Sequence, residues 1–180
     1  MTKTNILIVF LAFASITGGL FAQKHFNTDK AVSGSLTNSS ELIEFSLPDL
    51  EGKQHRISEW QDKIRIINFW ATWCPPCLKE IPEFIKIQNE FADKAIQFIG
   101  IALDDKKSVK EYLNAHPVNY PILLDDGQAT FLSRQLGNVF NAVPFTLIVN
   151  RQKQIIYQQP GEINHEKILK IIKPLLQNEQ

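Results

Sequence analysis

The chain has 180 residues with 19 basic and 19 acidic side chains, so its formal net charge at pH 7 is zero. This balance excludes the strongly basic classes that bind nucleic acid or a membrane surface through charge alone. Hydrophobic residues make up 44% of the chain and include 12 Phe, which is enough to form a core without disulfide staples.

The first 22 residues predict an export signal. Lys3 precedes an apolar run over residues 6–16, and the small residue Ala22 stands at a plausible cleavage point before polar sequence. If it were not cleaved, the apolar stretch would be near the lower limit of about 17 residues needed to span a bilayer. We expect cleavage rather than a retained anchor. In both cases the rest of the chain is exported, to the periplasm or to the outer face of the cytoplasmic membrane.

A linker and then one domain are predicted after this signal. Residues 23–40 are polar and lack periodicity, which indicates a linker, whereas residues 41–180 have the usual size of a single domain. The domain opens with a predicted β-hairpin, formed by residues 45–53 and 54–57 and turning at Glu51-Gly52.

The only two cysteines, Cys74 and Cys77, stand between a predicted strand and a predicted helix. The strand, Ile64–Trp70, is rich in β-branched and aromatic residues, as expected for a strand buried on both faces. After the cysteines, residues from Leu78 to about Asp93 carry apolar side chains at helical spacing, which predicts a helix. A disulfide across so short a loop adds little stability, so the pair is predicted to be redox-active.

The two prolines between the cysteines fit the first turn of this helix. Pro75 and Pro76 need no N–H there, and their φ is already close to the helical value. Cys74 is then at the helix N-terminus, where unpaired N–H groups and the helix dipole stabilise a thiolate. Cys77, one turn further along, is expected to be less exposed and to act as the resolving thiol.

Alternating strands and helices are predicted for the rest of the domain. In chain order these are a strand over 96–103, a helix over 108–115 capped by Ser108, a strand over 120–124, a helix over 129–136, an antiparallel pair of strands over 147–150 and 155–159, and a helix over 164–176. The acidic pairs at 104–105 and 125–126 are interpreted as solvated loops. The four histidines are scattered, and zinc would need two ligands beyond the cysteines, so we expect no metal and no cofactor.

The motif Phe69–Cys77, followed by Lys79-Glu80-Ile81-Pro82, resembles the TlpA/ResA branch of the thioredoxin superfamily, which is related to the AhpC/TSA redoxins. These proteins are extracytoplasmic thiol-disulfide oxidoreductases. The resemblance extends from about Phe45 to the C-terminus. It implies an α/β thioredoxin fold, in which helices flank a central mixed β-sheet, with an N-terminal β-hairpin and a central α/β insertion.

The resemblance also implies a set of site residues. The nucleophile is Cys74 and the resolving thiol is Cys77, with a buried acid at Glu80 and a cis-proline at Pro144 that faces the thiols. In this fold the residue before the cis-proline pairs with an incoming peptide in the manner of a strand. We therefore assign substrate binding to the following residues: Trp73, Pro75, Pro76, Val143 and Pro144.

Glu80 also has a chemical rationale of its own. Thioredoxin places its acid on the strand, six residues before the first cysteine, but Asn68 occupies that position and cannot exchange a proton. Glu80 is one helical turn after Cys77, and burial would raise its pKa so that it could take the proton that Cys77 loses. The alternative is a solvated glutamate on the helix surface.

The function predicted is reduction of protein disulfides through a mixed disulfide, with re-reduction by a membrane electron donor. The resemblance suggests a role in cytochrome c maturation. Two alternatives remain. A thiol peroxidase would require threonine at position 71, where this chain has alanine, and a copper chaperone on the same fold would have wider cysteine spacing and a distant histidine.

Overall fold

The computed structural model describes residues 41–91 and 96–177. The predicted export signal and linker therefore lie outside the described residues. The elements in chain order are β1 (Ser46–Pro48), β2 (Gln54–Arg56), a 3-10 turn (Ile57–Trp60), β3 (Ile64–Trp70), α1 (Pro75–Phe91), β4 (Ile96–Ala102), α2 (Lys106–Ala115), β5 (Ile122–Leu124), α3 (Ala129–Gln135), β6 (Phe145–Val149), β7 (Ile155–Pro160) and α4 (His165–Gln177).

Five strands form one mixed sheet in the order β5-β4-β3-β6-β7. β3 is parallel to β4, with Ile64 opposite Ile96, and antiparallel to β6. Every residue of β3 and β4 is buried, and for β3 this was predicted from its β-branched and aromatic residues. This arrangement confirms the predicted central mixed sheet, with β3 at its middle and the cysteines directly after it.

The hydrophobic core lies on both faces of the sheet because alternate side chains of β3 point in opposite directions. Ile66 and Trp70 belong to the cluster that includes apolar residues of α1, α2 and α4. Ile67 and Phe69 belong to the cluster formed with α3 and the N-terminal hairpin. Both cysteines lie in the first of these clusters.

The predicted N-terminal hairpin is present, with shorter strands than expected. β1 and β2 pair antiparallel, and Gly52 in the turn has φ +87, which favours glycine. The ring nitrogens of His55 lie 2.8 Å from a Glu59 oxygen and 2.9 Å from an Asp49 oxygen. Hydrogen bonds to Glu59 and then to Asp49 raise the pKa of His55 above its ordinary value.

The predicted cap of α2 was wrong. α2 begins at Lys106, and Asp105 caps it: its Oδ1 accepts hydrogen bonds from the N–H groups of Lys107 and Ser108, both at 3.0 Å. Ser108, the predicted cap, instead donates its hydroxyl hydrogen to Asp105. Asp125 similarly accepts from the N–H of Ala129 at the start of α3, at 2.9 Å. Asp105 and Asp125 are therefore structural acceptors rather than merely solvated loop residues.

The remaining elements match their predictions closely. β5 extends the sheet beside β4, and α3 follows it, as expected for the central α/β insertion. β6 and β7 form the predicted antiparallel pair. Among the described helices, none combines the length and apolar character needed to cross a membrane.

Candidate active site

A disulfide bond joins Cys74 and Cys77 at the N-terminus of α1. Cys74 directly precedes the helix and is 3% exposed, while Cys77 is in the first turn and is fully buried. The N–H of Cys77 points to the sulfur of Cys74 at 3.3 Å. This donor and the helix dipole both stabilise negative charge on Cys74 when the pair is reduced.

The loop that carries Cys74 is fastened to the adjacent strand. Both the N–H and the hydroxyl of Thr72 donate to one carboxylate oxygen of Asp104, at 3.0 and 2.5 Å. Asp104 follows β4, and the N–H of Leu103 donates to the carbonyl oxygen of Trp70 at 2.8 Å. Sequence reasoning did not assign Thr72 or Asp104. The sequence did contain a signal for Asp104, because this residue directly follows a strand that is parallel to β3. In sheets of this kind, functional residues lie beyond the carboxyl ends of the strands.

The surface around the disulfide is largely apolar. Trp73 is 66% exposed immediately before Cys74, and both Pro75 and Pro76 are exposed. Trp70 is buried instead, with its ring centroid 5.5 Å from that of Tyr112. The structure therefore separates the two tryptophans of the motif: Trp70 packs in the core, while Trp73 is available for contact with another molecule.

Glu80 is buried, with only 2% of its surface exposed. One carboxylate oxygen accepts a hydrogen bond from the Asn68 side chain at 2.8 Å, and the other accepts from the N–H of Ile163 at 3.1 Å. Burial raises the pKa of Glu80 to about 7, and the charge of Glu162 acts in the same direction, while the two hydrogen bonds oppose the shift. The alternative of a solvated surface glutamate is therefore wrong.

Asn68 is a site residue that the sequence analysis discounted. Its side-chain N–H₂ donates to Glu80 and also to the hydroxyl of Thr146, at 2.8 and 3.0 Å. All three side chains are buried. Asn68 cannot exchange a proton, but it orients the carboxyl group that can. A polar residue in a strand predicted to be buried on both faces was the signal that could have identified it, since buried polar groups need hydrogen-bond partners.

The Val143–Pro144 peptide bond is cis, as the resemblance implies. Val143 is half-buried and packs against both core clusters, one of which contains the two cysteines. The carbonyl oxygen of Pro144 accepts a hydrogen bond from the N–H of Gly161 at 2.8 Å. For Val143, by contrast, no backbone hydrogen bond is formed with any residue in 41–91 or 96–177.

The two alternative functions concern other features of the site. Ala71, at the position where a peroxidase would require threonine, is fully buried. Within the described part of the chain, no group of three or more His, Cys, Asp or Glu side chains is placed to hold a metal ion.

Comparison with known proteins defines the class. A thiol:disulfide interchange protein of the thioredoxin family from Chlorobium tepidum has the same fold, with a TM-score of 0.69 at 24% identity, over 77% of this chain and 97% of that one. Two relatives are thiol-disulfide oxidoreductases named ResA. The one from Halalkalibacterium halodurans is 26% identical, covering 91% of this chain and 92% of its own. The one from Geobacillus kaustophilus is 28% identical, covering 96% and 95%.

The chain is therefore a thiol-disulfide oxidoreductase with a thioredoxin fold. The sequence model of the AhpC/TSA family matches residues 39–158, which is two thirds of the chain, and the protein belongs to that family. Membership in this class of oxidoreductases implies that its substrates are protein thiols and disulfides.

Proposed function

We propose that this oxidoreductase works outside the cytoplasm as a disulfide reductase, with Cys74 and Cys77 as its dithiol. The observation that carries the proposal is the buried carboxyl group of Glu80, one helical turn after Cys77, with a pKa of about 7. A carboxyl group that changes protonation near neutral pH is suited to proton exchange with a thiol.

The reaction begins with the reduced pair. The Cys74 thiolate attacks one sulfur of the substrate disulfide, forming a mixed disulfide and releasing the first substrate thiolate. Cys77 then loses its proton to Glu80 and attacks the Cys74 sulfur. This step forms the Cys74–Cys77 disulfide and releases the second substrate thiolate, so two electrons pass from the enzyme to the substrate. The released thiolates take up protons, one of which Glu80 can return.

The substrate side of the reaction is assigned to the residues around the disulfide. The backbone of Val143 has no partner among the described residues and suits strand-like pairing with an extended substrate segment. Pro144 forms the wall beside it. Trp73, Pro75 and Pro76 provide exposed apolar surface next to Cys74.

The export signal predicted for residues 1–22 supports an extracytoplasmic site of action. Cytoplasmic reductants do not reach that compartment, so re-reduction requires a membrane electron donor that supplies two electrons, while Cys77 takes up one proton and Cys74 remains a thiolate. Resemblance to the TlpA/ResA branch supports a place in cytochrome c maturation. Cells without the protein should then contain less c-type cytochrome, and wild type should restore it while Cys74→Ser should not.

The reduction potential of the cysteine couple tests the direction of electron flow. The protein is equilibrated against glutathione or dithiothreitol buffers, and its redox state is measured. A potential near that of thioredoxin, about −270 mV, would support a reductase, whereas about −120 mV would indicate a disulfide donor. A protein with no reversible couple would overturn the dithiol mechanism. As a companion measurement, Cys77→Ser should accumulate the mixed disulfide with substrate, and Cys74→Ser should not.

A further inference from the structure

The loop between α3 and β6 exposes two large apolar side chains. Val139 is 67% exposed and Phe140 is 86% exposed, the highest value among the large apolar side chains that the structure describes. The segment from Gly137 to Pro144 contains no charged residue. Apolar groups exposed on an ordered loop are a common feature of binding surfaces.

Hydrogen bonds hold this loop in one conformation. The buried side chain of Asn138 accepts from the N–H of Ala142 at 3.0 Å and donates to the carbonyl oxygen of Ala142 at 2.8 Å. It also donates to the hydroxyl of Ser133 at 2.8 Å. The N–H of Asn141, whose φ is +49, donates to the carbonyl oxygen of Asn138 at 3.0 Å. These bonds tie the two ends of the loop together and fix its tip, so the tip loses little conformational entropy on binding.

The tip lies close to Val143 along the chain. Ala142, which closes the loop, directly precedes Val143, and Val143 packs against both core clusters, one of which contains Cys74 and Cys77. Phe140 and Val143 are three positions apart, so their Cα atoms are at most about 11 Å apart. Trp73, exposed beside Cys74, provides a second apolar group next to the same disulfide.

We propose that Val139 and Phe140 bind an apolar side chain of the substrate polypeptide close to its disulfide, so that the enzyme prefers disulfides flanked by apolar residues. This inference rests on the proposed reductase function. The occupant is an extended peptide segment because the backbone of Val143, which follows the loop tip, has no hydrogen-bond partner among the described residues and can pair with such a segment. A second copy of the chain fits less well, since two side chains provide far less than the roughly 800 Å² per partner of a stable protein interface.

The test compares three disulfide substrates with the reduced full-length protein. Two are peptides of identical sequence except at the residues flanking each cysteine, which are Leu in one and Ser in the other. The third is glutathione disulfide, which has no apolar side chain. The second-order rate constant is measured for wild type, Phe140→Ser and Val139→Ser. Phe131→Ser is the matched control, because Phe131 is a 63% exposed phenylalanine that lines a different groove, with Ile43.

We expect wild type to prefer the Leu peptide, and Phe140→Ser to reduce it about tenfold more slowly, equivalent to about 1.4 kcal/mol. Val139→Ser should give a smaller loss. Neither variant should change the rate with the Ser peptide or with glutathione disulfide by more than about twofold. Phe131→Ser should behave as wild type with all three. Both loop residues are exposed, so the variants should retain their fold, which urea unfolding checks.

Equal rates for wild type and Phe140→Ser with both peptides would overturn the inference and leave the reductase function standing. An equal loss of rate with all three substrates would also overturn the inference, because the loop would then be affecting the reactivity of the thiols rather than the binding of an apolar side chain. If wild-type protein dimerised and Phe140→Ser did not, the tip would be an interface between copies, again contradicting the inference. If wild type reduced none of the three substrates, the proposed function would fail together with the inference.

Discussion

Replacing Glu80 by Gln should change how the stability of the oxidised protein depends on pH. The pKa of Glu80 is raised from 4.5 to about 7, mainly by burial. Below pH 4.5 the carboxyl is protonated in both the folded and the unfolded chain, so the stabilisation is fully present. As the pH rises towards 7, the unfolded chain releases the proton and the folded chain retains it. The free energy of unfolding therefore falls by about 3 kcal/mol, and the loss is complete above pH 7.

Urea unfolding of wild type and Glu80→Gln between pH 4.5 and 8.5 measures this change. The oxidised form is used because disulfide-bonded cysteines do not titrate. Gln has nearly the same size as Glu and carries no titratable proton, so the free energy of unfolding of the variant should not decrease in this way as the pH rises. The difference in free energy of unfolding, wild type minus variant, should fall by about 3 kcal/mol from acid to alkaline pH. Titration of distant groups such as His55 contributes equally to both proteins and cancels.

Glu83→Gln provides a matched control on the same helix. Glu83 is partly exposed, and its pKa is lowered, first of all by a hydrogen bond from Lys86 at 2.6 Å. Its stabilisation is present above its ordinary pKa of 4.5 and is lost only in more acidic solution, so the difference between wild type and Glu83→Gln should stay nearly constant between pH 4.5 and 8.5. A wild type and Glu80→Gln pair whose stabilities stay parallel across the whole pH range would refute the argument, because Glu80 would then ionise as an exposed carboxyl does.

Three further changes test other contacts of the site and the hairpin. Asn68→Ala removes a hydrogen-bond donor that lowers the pKa of Glu80, so the midpoint of the pH profile of thiol-disulfide exchange should move to higher pH. An unchanged midpoint would mean that Asn68 does not influence the pKa of Glu80. Asp104→Ala leaves the N–H of Thr72 without its acceptor and should lower the free energy of unfolding by about 1–3 kcal/mol in urea; no loss would mean that the loop is held by other contacts. His55→Gln removes a group whose two carboxylate partners raise its pKa. The stabilisation that His55 provides is fully present below pH 6.5 and is lost as the pH rises through its raised pKa. The melting temperature of the variant should therefore lie further below that of wild type at pH 5.5 than at pH 8.5. An equal difference at both pH values would contradict this.

The sheet could be predicted from the sequence because its strands carry a strong local signal. Ile64–Trp70 and Ile96–Ala102 are mostly apolar, with many β-branched and aromatic residues, as expected for strands of a parallel pair that are buried on both faces. The cysteine motif was equally informative, since prolines at the first turn fix where α1 begins. These features depend on residues that are neighbours in sequence.

The cap of α2 could not be predicted in the same way, because two residues near the start of this helix carry competing capping signals. Ser108 with Glu111 three residues later matches a capping box, and Asp105 is an equally good cap type three residues earlier. The extended backbone of Asp105, with φ −70 and ψ 146, decides in its favour. That conformation depends on how the chain leaves β4, which sequence spacing does not specify.

Contacts between distant residues account for what the sequence missed at the site. Asn68 was dismissed on its own chemistry, but its role follows from hydrogen bonds to Glu80, 12 positions away, and to Thr146, 78 positions away. The bond between Thr72 and Asp104 likewise joins segments 32 positions apart. Partners of this kind become visible only when the strand order is known.

The environment of Glu80 combines two opposing effects whose balance determines its chemistry. Burial disfavours the carboxylate and raises the pKa, while donors from Ile163 and Asn68 each favour it and lower the pKa. Fully buried carboxyl groups without such donors reach pKa values of about 8–9. With both donors, Glu80 instead titrates near pH 7, where it can both accept and return a proton. The asparagine on β3 thus brings the acid on α1 into the range that its proposed role requires, so the two residues function as a pair.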